Sequence, residues 1–350
     1  MITRRIALSL ALLGLASCGG SPGDSTSADG AMDGIEAKPR VAFVTNGVAD
    51  FWVIAEKGAE AGGSEFGADV SVHMPPAGLS DQQRILEDLM VKGVDGIAVS
   101  PIDPANQTEF LDKVAARTSL ITHDSDAPDS DRLVYIGMDN YDAGRMCGRL
   151  VKDALPEGGE VFIFIGRLEQ DNARRRRQGV IDELLDRDSD STRYDPPGAT
   201  LEGAKYVVLG TLTDQFDLTK GKANAEDVLS RHPSVDAMIG LFAYNPPLIL
   251  EALRGADRLG EVQVIAFDED DQTLQGIKDG VVAGTIVQNP YEYGRRSVQI
   301  LVGIAGGEDS VVPDDGMVNI PARTITGENV DAFWQDLRAK TGKGDDGNED

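Results

Sequence analysis

The sequence predicts an α/β protein made of two lobes, each with its own parallel sheet. Short apolar runs such as Val41-Ala42-Phe43-Val44 and Val161-Phe162-Ile163-Phe164-Ile165 alternate with amphipathic stretches. Strands covered by helices on both faces have such continuous apolar runs, and strand–helix alternation favours parallel sheets with right-handed crossovers. Because the alternation runs twice, over about residues 40–137 and 140–288, we expect two similar lobes with a cleft between them.

The individual elements follow from the same pattern. Strands are predicted over residues 40–45, 69–73, 96–100, 119–123, 133–136, 160–165, 206–209, 237–241, 262–267 and 282–287. Between them, Ser80-Asp81-Gln82-Gln83 looks like a capping box that opens an amphipathic helix. Pro104 and Asn172 open two more helices, and a last one is predicted over 291–304.

The N-terminal residues predict export from the cytoplasm. Residues 1–17 combine two arginines, an apolar run that ends at Leu15 and small residues, as in a secretory signal peptide. The apolar run is too short to be a permanent bilayer span. Its ending, Leu15-Ala16-Ser17-Cys18, resembles the lipobox of bacterial lipoproteins, so Cys18 is the predicted lipidation site. The alternative is an ordinary signal peptide followed by a chance cysteine.

Two linkers flank the predicted lobes. Residues 18–38 are rich in Ser, Gly, Asp and Ala and predict a flexible, lipidated tether. Residues 341–350 are acidic, low in apolar residues and predict a disordered tail.

Between the linkers, the chain is expected to pass from one lobe to the other three times, near residues 138–140, 288–290 and 311–318. This division gives an N-terminal lobe of 39–138 plus 290–310, a C-terminal lobe of 139–289 plus 311–326, and a C-terminal helix over 327–340. The crossings would form a three-strand hinge.

Charge and motif content exclude several functional classes. The formal net charge of −26 repels nucleic acid and anionic lipid, so neither is an expected partner. Only Cys147 remains after Cys18, which excludes a disulfide within the lobes and predicts a small buried side chain there. No phosphate-binding loop, His-Glu-x-x-His or Gly-x-Ser-x-Gly motif occurs. We therefore expect a binding protein rather than an enzyme, with no cofactor.

Polar and aromatic side chains follow the predicted strands at their carboxyl ends, where open parallel sheets bind ligands. The set comprises Thr45, Asn46, Phe51, Trp52, Asp124, Ser125, Arg176, Asn245, Asp268 and Gln288. Carboxylate and guanidinium groups each bind two adjacent hydroxyls, in opposite hydrogen-bond senses, and aromatic faces cover the C–H surface of a sugar ring. The set predicts a neutral polyol as the ligand.

In order and spacing these residues resemble the periplasmic sugar-binding proteins of the ribose-binding type, which feed ABC transporters. The resemblance covers about residues 39–326. It rests on Phe51-Trp52, Ile121-Thr122-His123-Asp124, Ile136-Gly137-Met138-Asp139-Asn140 with Gly144, Arg176 three residues before Gly179, Phe216-Asp217, Asn245, Ala266-Phe267-Asp268 and Gly284-Thr285-Ile286-Val287-Gln288.

The resemblance implies two Rossmann-like lobes of the periplasmic binding protein I class. It also implies a sugar ring held between the aromatic rings of Phe51, Trp52 and Phe216. Hydroxyl binding is then assigned to Asp124, Arg176, Asn245, Asp268 and Gln288.

Two departures from the family pattern bear on the choice of sugar. Ser125 stands where ribose binders usually have arginine, and Ala49 stands where they carry asparagine. Each change removes or moves a hydrogen-bond donor, and a buried hydroxyl left unpaired costs about 1–3 kcal/mol. The sequence therefore predicts a monosaccharide (a pentose, a hexose or a related polyol) without specifying ribose.

Several site residues have a plain structural alternative. Asp124 and Asp268 are also typical strand-end turn formers, Phe51 and Trp52 are also typical core residues, and Gln288 suits a hinge. The four arginines from Arg174 to Arg177 are otherwise predicted as a solvated helix face paired with acids such as Asp182 and Glu183, with only Arg176 in the site.

Two acidic segments resemble calcium loops but depart from them. Asp124-x-Asp126 is followed by Pro128 and Tyr135 where a ligand and the closing glutamate belong, and Asp268-Glu269-Asp270-Asp271 lacks the glycine. No metal is predicted.

The resemblance implies a monomeric lipoprotein on the periplasmic face of a bacterial membrane. It would capture its sugar by hinged lobe closure and deliver it to the permease subunits of an ABC transporter. One alternative is a sensor lobe that presents a sugar or quorum signal to a membrane receptor or kinase. Another is a glycosidase that uses Asp124 and Asp268, although Arg176 in the same site would lower the pKa of a carboxyl that must donate a proton.

Overall fold

The computed structural model describes residues 37–342 of the 350-residue chain. The predicted signal peptide, the Cys18 lipidation site and nearly all of the tether lie outside the described residues, as does most of the predicted tail. None of the helices within 37–342 has the length and apolar character that crossing a bilayer requires.

Strands and helices alternate along the chain as the sequence predicts. In chain order they are β1 (Arg40–Val44), α1 (Asp50–Phe66), β2 (Asp69–His73), α2 (Leu79–Lys92), β3 (Gly96–Val99), α3 (Pro104–Ala115), β4 (Ser119–His123), β5 (Tyr135–Gly137), α4 (Asn140–Ala154), β6 (Gly159–Ile165), α5 (Asp171–Leu184), β7 (Leu201–Glu202), β8 (Tyr206–Thr213), α6 (Leu218–Arg231), β9 (Ala237–Gly240), α7 (Asn245–Gly255), β10 (Gln263–Phe267), α8 (Asp271–Lys278), β11 (Gly284–Val287), α9 (Pro290–Ala305), β12 (Met317–Asn319), β13 (Arg323–Ile325) and α10 (Val330–Thr341).

The strands form two separate, mostly parallel sheets. The first has the order β12-β5-β4-β3-β1-β2 and is parallel throughout. The second has the order β13-β11-β10-β9-β6-β8-β7, and only β13 and β7 run antiparallel to their neighbours. Counting only the parallel strands, each sheet thus repeats one doubly wound pattern, in which the first strand lies between the second and the third. The predicted α/β class with two lobes is confirmed.

The structure differs from the sequence prediction at the third passage between the lobes. Residues 311–326 were predicted in the second lobe, but β12 pairs with β5 of the first sheet and only β13 pairs with β11 of the second. Val311, Val318 and Ile320 pack on the apolar core of the first sheet, which holds this segment there. The passage therefore lies between β12 and β13.

The predicted capping box is wrong, because α2 begins earlier. Its N-cap is Gly78, so Ser80 lies inside the first turn. Gln82 is fully buried and donates to the carbonyl oxygens of Thr45 and Ser100, at 2.8 Å each. Its side chain satisfies backbone at the ends of β1 and β3 instead of capping its own helix.

The arginine run is only partly solvated. Arg174 and Arg175 pair with Asp171, but Arg177 is buried and donates from Nε to Thr211 Oγ1 at 2.7 Å and from a terminal nitrogen to the carbonyl of Asp195 at 2.8 Å. The prediction of a solvated face is wrong for Arg177, because its side chain ties α5 to β8 and the preceding loop.

Cys147 is buried within the core of the second lobe, as predicted. Burial raises the pKa of its thiol to about 12, so it stays protonated near neutral pH. It therefore behaves as a small apolar core residue.

Candidate functional site

A cavity of about 470 Å³ lies between the carboxyl ends of the two sheets. Its wall takes residues from both lobes, and eight of the predicted site residues are among them: Asn46, Phe51, Trp52, Asp124, Arg176, Phe216, Asp268 and Gln288. This volume is within the range of small-molecule sites.

The two aspartates occupy equivalent places in the two lobes. Asp124 follows β4 and Asp268 follows β10, and both have left-handed backbone, with φ of 58° and 65°. Their N–H groups bond to Ile136 in β5 at 3.0 Å and to Ile286 in β11 at 2.8 Å. Left-handed aspartate is uncommon and concentrates at functional sites, and here the turn brings each carboxyl into the cavity wall.

Asp124 receives hydrogen bonds from both lobes. Ser100 donates from Oγ at 3.2 Å and Asn46 from Nδ2 at 3.4 Å within the first lobe. Asn172, at the start of α5 in the second lobe, donates from Nδ2 at 3.1 Å. Burial raises the pKa of Asp124 to about 7, against the lowering effect of Arg176. Asp124 is therefore poised between its neutral and ionised forms near neutral pH.

Arg176 is held rigidly beneath the cavity. Its terminal nitrogens donate to the carbonyl of Leu241 at 2.8 Å and to Asn140 Oδ1 at 3.0 Å, and one lies 3.6 Å from Asp268 Oδ2. The guanidinium also stacks 3.8 Å over the ring of Phe267. The side chain is about 1% exposed, yet its Nε has no hydrogen-bond partner among the described residues.

Asp268 is held by a hydrogen bond from Gln288. Gln288 donates from Nε2 to Asp268 Oδ1 at 2.7 Å and itself accepts from the hydroxyl of Tyr293 at 3.1 Å. Burial raises the pKa of Asp268 while Arg176 and Gln288 lower it, and the net shift is upward. Gln288 therefore both lines the cavity and orients one of its carboxyls.

Aromatic rings line the cavity in two groups, one from each lobe. Phe51 and Trp52 meet edge to face at 4.8 Å and are buried against the core of the first lobe. In the second lobe, Phe216 stacks on Phe242 at 5.6 Å. Phe51 and Trp52 therefore belong both to the core of the first lobe and to the cavity wall. The sequence had left these two roles as alternatives.

Three predicted site residues do not line the cavity. Thr45 donates from Oγ1 to the carbonyl of Gly47 at 2.6 Å. Ser125 is fully buried, and its hydroxyl has no partner among the described residues. Asn245 donates to Asp214 at 3.0 Å and accepts from the backbone N–H of Phe242 at 3.0 Å. These contacts shape the loops that carry the wall residues.

The wall also contains residues that the sequence analysis did not select: Arg167, Gln170, Asn172, Phe242, Tyr244 and Glu269. All follow strand ends: Phe242 and Tyr244 come just before the selected Asn245, and Glu269 comes directly after the selected Asp268. For Arg167, Gln170 and Asn172, strand-end position was the only signal, because the loop between β6 and α5 carries no motif.

Four helices begin at the cavity without a side-chain cap. These are α1, α2, α5 and α7, whose N-cap residues are Ala49, Gly78, Gln170 and Tyr244. By contrast, Asp or Asn side chains cap α3, α4, α6 and α9. First-turn N–H groups have no intrahelical partner, so uncapped ends leave donors at the wall.

Unpaired polar atoms concentrate at the same place. Eight buried side-chain nitrogen or oxygen atoms have no partner among the described residues, and four belong to wall residues: Arg167, Gln170, Arg176 and Glu269. Buried polar groups are nearly always hydrogen-bonded, so this concentration points to a polar ligand. Within 37–342, no group of three or more His, Cys, Asp or Glu side chains is placed to hold a metal ion.

Comparison with known proteins finds the same fold and a related sequence. A family model described as a periplasmic binding protein domain matches residues 41–309. The D-ribose/D-allose-binding protein of Pseudomonas aeruginosa is 26% identical over 306 residues, covering 83% of this chain and 89% of the relative. The ribose import binding protein of Bacillus subtilis is 26% identical, covering 74% and 78%.

Solved structures agree with this comparison. An ABC transporter solute-binding protein from Burkholderia graminis, solved with D-arabinose, is 28% identical with a TM-score of 0.74, covering 84% of this chain and 97% of the other. A glucose-galactose binding protein from Geobacillus stearothermophilus has the same TM-score of 0.74 at 24% identity, covering 84% and 99%, and supports the fold alone.

Proposed function

Because this chain belongs to the periplasmic binding protein family, among its ribose-type sugar-binding members, we propose that it binds one monosaccharide in the cavity between its lobes. The observation that carries the proposal is that Asp124, Asp268 and Arg176 line one cavity, which also has aromatic walls and unpaired donors. The relatives' names and the bound D-arabinose in one neighbour support a pentose or hexose.

The roles follow from hydrogen-bond chemistry. Asp124 and Asp268 accept from sugar hydroxyls, and the free Nε of Arg176 donates to a hydroxyl or the ring oxygen. Phe51, Trp52 and Phe216 cover the C–H faces of the ring. Thr45 and Asn245 act indirectly, by holding the loops that carry these side chains, and Ser125 has no assigned role.

Closure of the lobes is the proposed capture step. The hydrogen bond from Asn172 to Asp124 already joins the two lobes across the cleft at 3.1 Å. A sugar bound to Asp124 from one lobe and to Arg176 from the other adds further bonds of this kind, which favours the closed arrangement. The three passages between the sheets are the proposed hinge.

Delivery to an ABC transporter permease and anchoring through Cys18 complete the proposal. The names of the relatives as import binding proteins support delivery, and the lipobox-like Leu15-Ala16-Ser17-Cys18 supports the anchor and a periplasmic location.

Fractionation of cells that express the full chain tests the anchor. We expect the protein in the membrane fraction, and expect Cys18→Ser to release it. Membrane association that survives Cys18→Ser would contradict the anchor.

Calorimetric titration with pentoses, hexoses and polyols tests the binding function. We expect at least one to bind saturably at a single site, and expect Arg176→Ala to weaken it at least tenfold. Arg174→Ala is the matched control, because Arg174 is exposed on the same helix and lies outside the cavity wall. Lack of binding by every sugar, or equal binding by both variants, would contradict the proposal.

A further inference from the structure

Arg167 is a cavity arginine with no charged or hydrogen-bonded partner. It lies in the loop between β6 and α5, lines the cavity and is half-buried. Its guanidinium stacks 4.5 Å over Phe216, but within 37–342 it forms no hydrogen bond or ion pair, and its Nε is a buried unpaired atom. Burial lowers the pKa of Arg167 from its ordinary value, so a bound anion would offset a real desolvation cost.

Gln170 adds unpaired donors next to this arginine. It is about 1% exposed, lines the cavity, and its Nε2 has no partner among the described residues. It is also the N-cap of the 14-residue helix α5 and gives no side-chain cap. The loop therefore presents a guanidinium, an amide N–H and the positive end of a helix dipole, all of which favour a negatively charged acceptor.

The acids near Arg167 are otherwise engaged or remote from it. Asp214 accepts from Tyr244, Asn245 and the Phe216 N–H, and Asp103 caps α3. Glu169 is exposed and forms no ion pair with Arg167 among the described residues. Asp171, in the first turn of α5, pairs with Arg175 at 2.8 Å. Among the described residues, Arg167 therefore feels nearby carboxylates, Glu169 foremost, but forms no direct ion pair with any of them.

The rest of the cavity wall disfavours a negative group. It carries five carboxyl side chains, on Asp50, Asp124, Asp268, Glu269 and Asp270, against the guanidinium groups of Arg167 and Arg176. Arg176 already lies beside Asp268. An anionic group on the ligand is therefore most favoured at the loop that holds Arg167 and Gln170.

We propose that Arg167, Gln170 and the N-terminus of α5 form a subsite for a carboxylate, so that the preferred ligand is a sugar acid such as a uronic or aldonic acid. The inference rests on the proposed function, because the sugar ring must lie in the cavity for its carboxylate to reach Arg167. Phe216 links the sugar ring to Arg167, because it is a proposed ring-stacking residue and the Arg167 guanidinium lies over its ring. Arg167 then supplies the two parallel N–H donors that a carboxylate accepts.

Matched pairs of ligands test this subsite. The full-length protein is titrated calorimetrically with D-galactose and D-galacturonate, with D-glucose and D-glucuronate, and with D-glucitol and D-gluconate. We expect at least one acid to bind at least tenfold more tightly than its neutral partner. Arg167→Gln should abolish this difference, because it weakens binding of the acid at least tenfold more than binding of the neutral partner. Arg174→Gln, which removes the same charge outside the cavity, should change neither.

The outcomes separate the subsite from the proposed function. Binding of neutral sugars with no preference for any acid overturns the subsite and leaves the proposed function intact. Equal loss of both affinities in Arg167→Gln also overturns it, because Arg167 would then only support Phe216. If no ligand of either kind binds the wild-type protein, both proposals are overturned.

Discussion

At the scale of single residues, the site depends on carboxyls kept out of water. Asp124 is about 4% exposed and accepts three hydrogen bonds, yet burial still raises its pKa to about 7. The same burial that disfavours its charge makes each hydrogen bond to a ligand stronger. Asp268 repeats this arrangement in the other lobe.

Replacing Asp124 by asparagine should weaken sugar binding at least tenfold. The amide keeps the size of the side chain but places a donor where the carboxylate has a second acceptor, so one sugar hydroxyl is left unpaired, at about 1–3 kcal/mol. Calorimetry measures the change. Asp88→Asn, on the exposed face of α2, is the control and should bind like the wild type. Equal affinities in Asp124→Asn and Asp88→Asn would remove Asp124 from the site.

The raised pKa of Asp124 also predicts how stability varies with pH. The folded protein keeps this proton up to a pH of about 7, whereas the unfolded chain loses it near the ordinary value of 3.8. Between these two pKa values the native state therefore binds more protons than the unfolded chain. The contribution of Asp124 to the free energy of unfolding consequently falls as pH rises. Glu269, with a pKa raised by burial to about 8, acts in the same direction.

Thermal unfolding between pH 5 and pH 8 measures this effect. We expect the melting temperature of Asp124→Asn relative to the wild type to rise by several degrees across this range, because the variant has no proton to lose. Both proteins share every other titrating group, so their difference isolates Asp124. A constant difference across the range would show that Asp124 titrates like an exposed carboxyl.

At the scale of elements, close helix packing carries the site arginine. A Cβ added at Gly144 in α4 would lie 2.0 Å from the carbonyl oxygen of Arg176 in α5, and one at Gly179 would lie 2.1 Å from that of Tyr141. Helices α1 and α9 pack in the same way in the first lobe, where a Cβ at Gly58 would lie 1.8 Å from the Tyr291 oxygen. The position of Arg176 therefore depends on a glycine at position 144, because any side chain there would displace the Arg176 backbone.

Gly144→Ala should destabilise the fold and the site together. Overpacking of this kind costs about 1–3 kcal/mol, which lowers the melting temperature by several degrees. Sugar affinity should also fall, because the methyl group displaces the backbone of Arg176. Gly255→Ala at the end of α7 meets no atom within 4 Å and is the control. If Gly144→Ala matches Gly255→Ala in both measurements, the helices do not constrain Arg176.

The sequence predicted the elements better than their detailed contacts. Buried parallel strands such as β1 and β6 are apolar after their first one or two residues, so their positions and the strand-end aspartates were readable from the sequence. Arg177 was misjudged because its polar side chain is buried to satisfy backbone carbonyls from a distant segment, and the burial of Gln82 between β1 and β3 had no sequence signal. β12 was missed because it has three residues, and the pairing with β5 that defines it is a long-range contact.

At the scale of the whole molecule, binding is proposed to couple the lobes. Asn172 is the side chain that bonds to Asp124 across the cleft. Asn172→Asp would place a second carboxyl against Asp124, and at alkaline pH, where both ionise, like charges at this distance favour separation of the lobes. We expect a larger radius of gyration by small-angle scattering without sugar, and weaker sugar binding.

A control variant separates this effect from added charge alone. Gln272→Glu adds the same charge on the exposed first turn of α8 and should change neither the radius nor the affinity. If Asn172→Asp gives the same radius and affinity as Gln272→Glu, the bond between Asn172 and Asp124 does not contribute to closure.

The most direct test of the central claim is a crystal structure of the protein with the sugar or sugar acid that binds most tightly in titration. The account predicts one ligand molecule between the closed lobes, with its hydroxyls within hydrogen-bond distance of Asp124, Arg176 and Asp268 and its ring against Phe51, Trp52 or Phe216. A ligand bound elsewhere, or one in this cleft that contacts neither aspartate, would contradict it.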